Sequence, residues 1–358
     1  MFSLRKVLVP AVAALGMLAG PAAAMAHDGA LYTQTNDPAG NVVQWFDRAA
    51  DGSLNPGGTV DTGGAGLAAL GGRQGAVELS DSGRTVYAVN AGSDTVTTFR
   101  AKHGGLVRRA IVPSGGVAPT SVDEHDGRVY VLNSGGTPNV TAFVAGRHGR
   151  LDRTGSRELP GALGGAQVSV SPDGRHVVVS ERLSNRLDTL SVDRSGRLGA
   201  PVVTPSNGAV PFGFAFGRDD QIVVSEAGAS TVSSYRVGSG LSTITASLAV
   251  GQGAACWVAV SPDGRLAYTG NASGSISGFA IARDGSLTAL DADGLTAVLV
   301  PSPRDLDFSR DGRFLYAVSP GNATAAAQVT GYRVASGGAL TAITSAPALP
   351  GITGAAAH

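Results

Sequence analysis

Short apolar runs recur along the chain, and each is followed by a segment in which apolar and polar residues alternate. The runs read TVYAVN (Thr85–Asn90), VYVLN (Val129–Asn133), HVVVSE (His176–Glu181), IVVSE (Ile222–Glu226), LAYTGN (Leu266–Asn271) and FLYAVS (Phe314–Ser319). The alternating segments read NVVQWF, TVTTFR, NVTAFV, RLDTLSV, TVSSYRV, SISGFAI and QVTGYRV. Period two with many Val and Thr residues predicts half-buried β-strands. A Gly-then-Leu pair comes next in all seven cases, from Gly52/Leu54 to Gly338/Leu340, and leads into a less regular fourth strand.

A tight turn precedes each apolar run. SPDGR stands at Ser171–Arg175 and Ser261–Arg265, SRDGR at Ser309–Arg313, and looser forms at Ser80–Arg84, Glu124–Arg128 and Gly217–Asp220. With Asp28-Gly29, the fourth positions are 29, 83, 127, 174, 220, 264 and 312, so the steps are 54, 44, 47, 46, 44 and 48. A period near 45 with one Asp-Gly turn per unit is the mark of a propeller blade. The expected fold is therefore all-β: a seven-bladed β-propeller of four-stranded antiparallel blades. The first turn leaves no room before it for an inner strand. Gly351–His358 is placed to supply one, closing the ring by pairing the two ends and removing open sheet edges.

Composition refines this picture. The 358 residues carry no formal net charge, only 15% are charged and 52 are Gly. Neutrality argues against nucleic acid or an anionic membrane surface as a partner, and a closed ring argues for a monomer. Residues 1–26 have a charged start (Arg5, Lys6), an apolar middle from Val7 to Gly20 and a small-residue end, Ala24-Met25-Ala26. They read as a signal peptide cut before His27, which makes the mature propeller 27–358 a secreted protein. Cys256 is the only cysteine, so no internal disulfide forms. Within AACWVAV it reads as buried and inert.

Three stretches resemble a known family: VPFGFAFGRDDQIVVSEAG (Val210–Gly228), QGAACWVAVSPDGRLAYTGNASGSISGFAI (Gln252–Ile281) and YAVNAGSDTVTTFR (Tyr87–Arg100). They are similar to the lactonase family of seven-bladed propellers, which includes bacterial 6-phosphogluconolactonases and fungal carboxymuconate cyclases, and within it to a secreted bacterial branch. The resemblance spans the mature chain and implies hydrolysis of a small, carbohydrate-type lactone at the channel mouth. The cytoplasmic members carry a Pro-His-type motif before an inner strand. The matching stretches GGVAPTSV, GGAQVSV and VPFGFAF have no histidine. No phosphate-binding basic cluster is evident either, which argues against a phosphorylated substrate.

Two residue rings are expected at the mouth, opposite the Asp-Gly turns. One lies at the end of the second strands: Thr35, Asn90, Asn133, Glu181, Glu226, Asn271 and Ser319. The other lies where inner strands begin: Ala76, Thr120, Gln167, Gly213, Trp257 and Asp305, preceded by Arg304. Glu226 and Glu181 are the candidate general bases, and Arg304 the candidate holder of the developing oxyanion. Asn90, Asn133, Gln167, Asn271 and Asp305 are the candidate substrate contacts. The same Asn and Glu residues can instead cap the following turns. A ring of carboxylate and amide oxygens also suits calcium at the channel mouth, although no calcium loop or His/Cys metal spacing occurs. A non-catalytic propeller that binds a glycan, a cell-wall component or a protein is the alternative function.

Overall fold

The structure is a computed structural model and describes residues 27–67 and 73–358; the expected signal peptide lies outside the described residues. Seven antiparallel sheets form the blades of a ring. Blade 1 consists of His27–Gln34, Val42–Ala49 and Leu54–Asp61, with the C-terminal strand Thr353–Ala357 as its inner strand. The inner strands of blades 2 to 7 are Val77–Leu79, Val117–His125, Gly165–Val170, Pro211–Phe216, Ala255–Val260 and Asp305–Phe308. Each neighbours the next around the axis. The outer strand of blade 6 is broken into Leu287–Ala289 and Ala297–Val298, both paired with Ser275–Ile281.

Closure follows the expected pairing. Leu31 stands opposite Ala357, Tyr32 opposite Ala356 and Gln34 opposite Thr353. Ile352, Ala355 and Ala356 are buried, and Ile352 and Ala355 share a core with Leu31, Phe46 and Phe314.

The recurring turn has a direct physical cause. In the blade 4 copy, Ser171 Oγ donates to Asp173 Oδ1 (2.6 Å) and accepts from the N–H of His176 (3.0 Å), while Gly174 takes φ 68°. Ser261 and Ser309 do the same with Asp263 and Asp311. The fifth copy lacks glycine, and Asp220 fills its place at φ 57°, a conformation aspartate tolerates better than most residues.

At the opposite face a second device joins neighbouring blades. Asp94, Asn185 and Ser230 all sit at positive φ in the turn after a second strand. Each side chain accepts the N–H of a left-handed residue at the start of the next blade: Ala118 (2.7 Å), Val210 (2.7 Å) and Ala254 (3.0 Å). A β-branched valine at φ 60° is strained; the clasp from Asn185 offsets that strain.

Side chains on the axis satisfy the inner edges of the inner strands. Asp123 accepts the N–H of Val170 (2.8 Å), Asp305 that of Ala355 (3.0 Å) and Asp307 that of Ala357 (2.7 Å). Gln167 exchanges two bonds with the backbone of Phe214. Gln74 does the same with Val258, reaching from blade 2 across the axis to blade 6. Only a glycine at 213 leaves room for this amide, since a Cβ there would meet Gln74 Oε1. The ring is therefore bridged across its middle.

Candidate functional site: a cationic, aromatic mouth

The residues that end the second strands do not face the mouth. The side chains of Thr35, Asn90, Asn133, Glu181, Glu226 and Asn271 turn back onto the third strand of their own blade, Ser319 donates to the carbonyl of Pro301, and all are fully buried except the half-buried Thr35. Asn90 donates to Thr95 and Thr97 (3.0 and 2.9 Å) and Asn271 to Ser275 and Ser277 (3.0 and 2.8 Å). Asn133 donates to Asn139 and Thr141. Glu181 accepts from Ser184 (2.7 Å) and Arg186 (2.8 Å). Glu226 accepts from the N–H of Gly208 (2.8 Å) and from the hydroxyls of Thr231, Ser233, Ser206 and Ser247 (2.5, 2.7, 3.3 and 3.4 Å). The expected placement of Glu181, Glu226, Asn90, Asn133 and Asn271 around the mouth is thus corrected. Each pins a turn, because a buried polar group needs its partners inside the protein.

Asp188 lies beside Glu181, and burial together with that carboxyl raises its pKa to about 7. Arg186 bridges the two acids at 2.8 and 3.1 Å.

A prediction follows for Glu226. Its carboxylate faces only donors, whereas a glutamine would turn an NH2 group toward some of them. Glu226→Gln is expected to lower the Tm by about 5 °C. An unchanged Tm would show that Glu226 does not pin this turn.

The mouth itself is built from the residues one position further on. Side chains alternate in direction along a strand, so the step from Glu181 to Arg182 turns from the blade interior to the axis. Ala227 and Ala272, the equivalents in blades 5 and 6, flank a cluster of Ala166, Phe212, Cys256 and Trp257. Phe212 and Trp257 meet edge to face at 5.7 Å and 65°. Arg73 and Arg182 lie over Phe212 at 5.7 and 5.3 Å, and Arg304 lies over Trp257 at 5.4 Å.

Three cations from blades 2, 4 and 7 therefore converge on one aromatic floor. Arg182 donates to the Gly164 carbonyl and Arg304 to that of Pro303. Neither is paired with a carboxylate among the described residues. Burial, with Arg182 nearby, lowers the Arg73 pKa to about 9, and burial also lowers that of Arg182. Such a site favours an anion or a developing oxyanion. Cys256 lies among the three arginines, yet burial raises its thiol to about 11. It is a packing residue there, as expected from the sequence.

Of the sequence-derived candidates, the structure brings only Arg304 to this mouth, beside Trp257. Gln167 and Asp305 line the axis below it, in a cavity of about 250 Å³ that also holds Glu78, Asp123 and Asp307. The basic cluster not evident in the sequence exists, but its members lie 109 and 122 residues apart (182 − 73 and 304 − 182).

The axial cavity is acidic. Burial, and then neighbouring acids, push Glu78 and Asp305 well above the usual carboxylate range. Burial raises Asp123 to about 6 and Asp307 to about 7. These groups bind protons more tightly folded than unfolded, so the stability they contribute is present below pH 4 and lost as pH rises through 6 to 7. Asp311, held at about 2 by Ser309 and Arg313 against its burial, acts in the opposite sense below pH 4. The Tm is expected to peak between pH 4 and 5 and to fall by about 5–10 °C by pH 8. Asp307→Asn should flatten that fall. A Tm that rises from pH 5 to 8 would refute the assignment.

Among the described residues, no group of three or more His, Cys, Asp or Glu side chains is placed to hold a metal ion. With three guanidinium groups around it, the mouth does not suit calcium. No helix among the described residues is long and apolar enough to cross a membrane.

The molecule is an all-β, seven-bladed propeller with a cationic cluster at one end of its axis. The family described as "Lactonase, 7-bladed beta-propeller" matches residues 35–160 and 150–251, and the chain belongs to it. No curated protein matches the chain. Several solved structures share its fold. A candidate 6-phosphogluconolactonase of Bacteroides fragilis has TM-score 0.74 at 17% identity, over 93% of this chain and 98% of that one. The periplasmic gluconolactonase of Pseudomonas aeruginosa has TM-score 0.72 at 19% identity, over 92% and 98%. Hydrazine synthase of Kuenenia stuttgartiensis has TM-score 0.60 at 18% identity, over 85% and 95%.

Proposed function

We propose that this chain is an exported hydrolase of a small, carbohydrate-type lactone, acting as a monomer without nucleic acid or membrane. The observation that carries this reading is the convergence of Arg73, Arg182 and Arg304 on Phe212 and Trp257, in a chain of the lactonase family. Family membership supports the reaction type, and the gluconolactonase among its structural neighbours supports a sugar lactone. Export is supported by the composition of residues 1–26. Protein recovered from an exporting host should begin at His27 on N-terminal sequencing.

In the reaction, water adds to the lactone carbonyl and the carbonyl oxygen takes up negative charge. The ring C–O bond then breaks and the leaving oxygen gains a proton, giving a hydroxy acid. Guanidinium groups held by backbone carbonyls and aromatic faces are preorganised for that charge. The carboxylate product fits the same three cations.

A second reading is a non-catalytic propeller that binds an anionic sugar or wall component. It is favoured by the enclosure of Glu181 and Glu226, which takes both candidate bases away from the mouth. A panel of sugar lactones, assayed by acid release with and without chelator, separates the two. Turnover insensitive to chelator is the expected result. Tight aldonate binding without turnover would establish the binder. Neither turnover nor binding would overturn both.

A further inference from the structure

The mouth does not stop at the three arginines. A cleft of about 360 Å³ opens on the same face, where the ring closes between blades 7 and 1. Its walls include Asp37, Pro38, Arg304, Pro320, Pro350 and Thr353. Pro38 and Pro320 lie in the turns that follow the second strands of blades 1 and 7, and Pro350 in the crossing that leads into the C-terminal strand. Two contacts join this cleft to the mouth. Arg304 lines it and also lies over Trp257. Thr353 lines it and accepts the backbone N–H of Arg73 at 3.1 Å.

The chemistry of the cleft differs from that of the mouth. The mouth gathers three cations, whereas the cleft has one arginine and one aspartate among its walls. Asp37 is exposed, and one of its carboxylate oxygens holds the N–H of Ala39. Its other oxygen has no partner among the described residues. Three prolines supply apolar faces. A neutral ligand with an apolar ring face and a hydroxyl-bearing edge matches this set, and a pyranose has both. The volume falls within the usual range for small-molecule sites.

We propose that the cleft is a second sugar subsite and that the substrate is a glycosyl aldonolactone. Its lactone ring lies against the guanidinium groups of the mouth, and its glycosyl ring lies in the cleft against the prolines, with hydroxyls on Asp37 and Arg304. This inference rests on the mouth being the binding site, and it adds which class of lactone the protein takes.

The test uses stable products, so it does not depend on turnover. Binding of gluconate and of lactobionate to the full mature chain is measured by titration calorimetry, for wild type, Asp37→Ala and Pro320→Trp. Wild type is expected to bind lactobionate at least about tenfold more tightly than gluconate. Asp37→Ala, an exposed change, should bring lactobionate down toward gluconate and leave gluconate unchanged. Pro320→Trp, which fills the cleft, should do the same. Equal affinity of wild type for the two anions would overturn the subsite and leave the mouth intact. Preserved lactobionate preference in both variants would place the second ring elsewhere. Binding of neither anion would overturn the mouth as well.

Discussion

Removal of Gly351–His358 is expected to leave a chain that does not fold. These residues carry the inner strand of blade 1, and their loss strips three kinds of support at once. Buried Ile352 and Ala355 leave the core around Leu31 and Phe314 and Ala356 the core around Tyr32 and Val77, at about 3–5 kcal/mol. Asp305 and Asp307 lose the N–H groups of Ala355 and Ala357, and an unsatisfied buried acceptor costs about 1–3 kcal/mol. The ladder edge of Leu31–Gln34 is exposed, a template for aggregation. The sum is comparable with the whole stability of a typical domain, about 5–15 kcal/mol. Far-UV circular dichroism and soluble yield of the truncated protein check this. A truncated chain that melts within about 5 °C of the full one would show that the ring does not depend on its closure.

The second large effect concerns the mouth. Arg182→Ala with Arg304→Ala is expected to reduce kcat/KM for a sugar lactone by about 10³-fold or more, since one donor to a developing oxyanion is worth about 10²–10³. The fold should survive. Among the described residues these guanidinium groups donate to the carbonyls of Gly164 and Pro303, and neither is in a salt bridge with a carboxylate that would be left behind. Their loss also relieves repulsion among three cations around Cys256. A Tm near wild type with a tenfold or smaller change in rate would place the chemistry outside this mouth.

The architecture was legible in the sequence because a propeller writes its period into turns, strands and Gly-Leu pairs alike. Blade count, strand order and the closure by Thr353–Ala357 follow from those markers and from the missing strand before Asp28-Gly29. The site was less legible for a reason of register. Glu181 and Arg182 are adjacent, yet one faces the blade interior and the other the axis. Without the local direction of the chain at the strand end, a one-residue shift moves the reading from the mouth to the turn pins. The period itself holds the missing signal: taken one position later, the ring reads Asn36, Ala91, Ser134, Arg182, Ala227, Ala272 and Pro320. Arg73 had no such signal, since it lies before the first residue of its inner strand, in a stretch without repeat partners. The reach of Gln74 across the axis was equally hidden, because its partner Val258 is 184 residues away.

A crystal structure of the mature protein with gluconate decides whether the mouth is the functional site. The aldonate is expected at the end of the axis opposite the Asp-Gly turns. Its carboxylate should lie within hydrogen-bonding distance of at least two of Arg73, Arg182 and Arg304. An aldonate bound instead among Glu78, Asp123 and Asp307, or in the cavity of about 680 Å³ between the Asp263 and Asp311 turns, would contradict it.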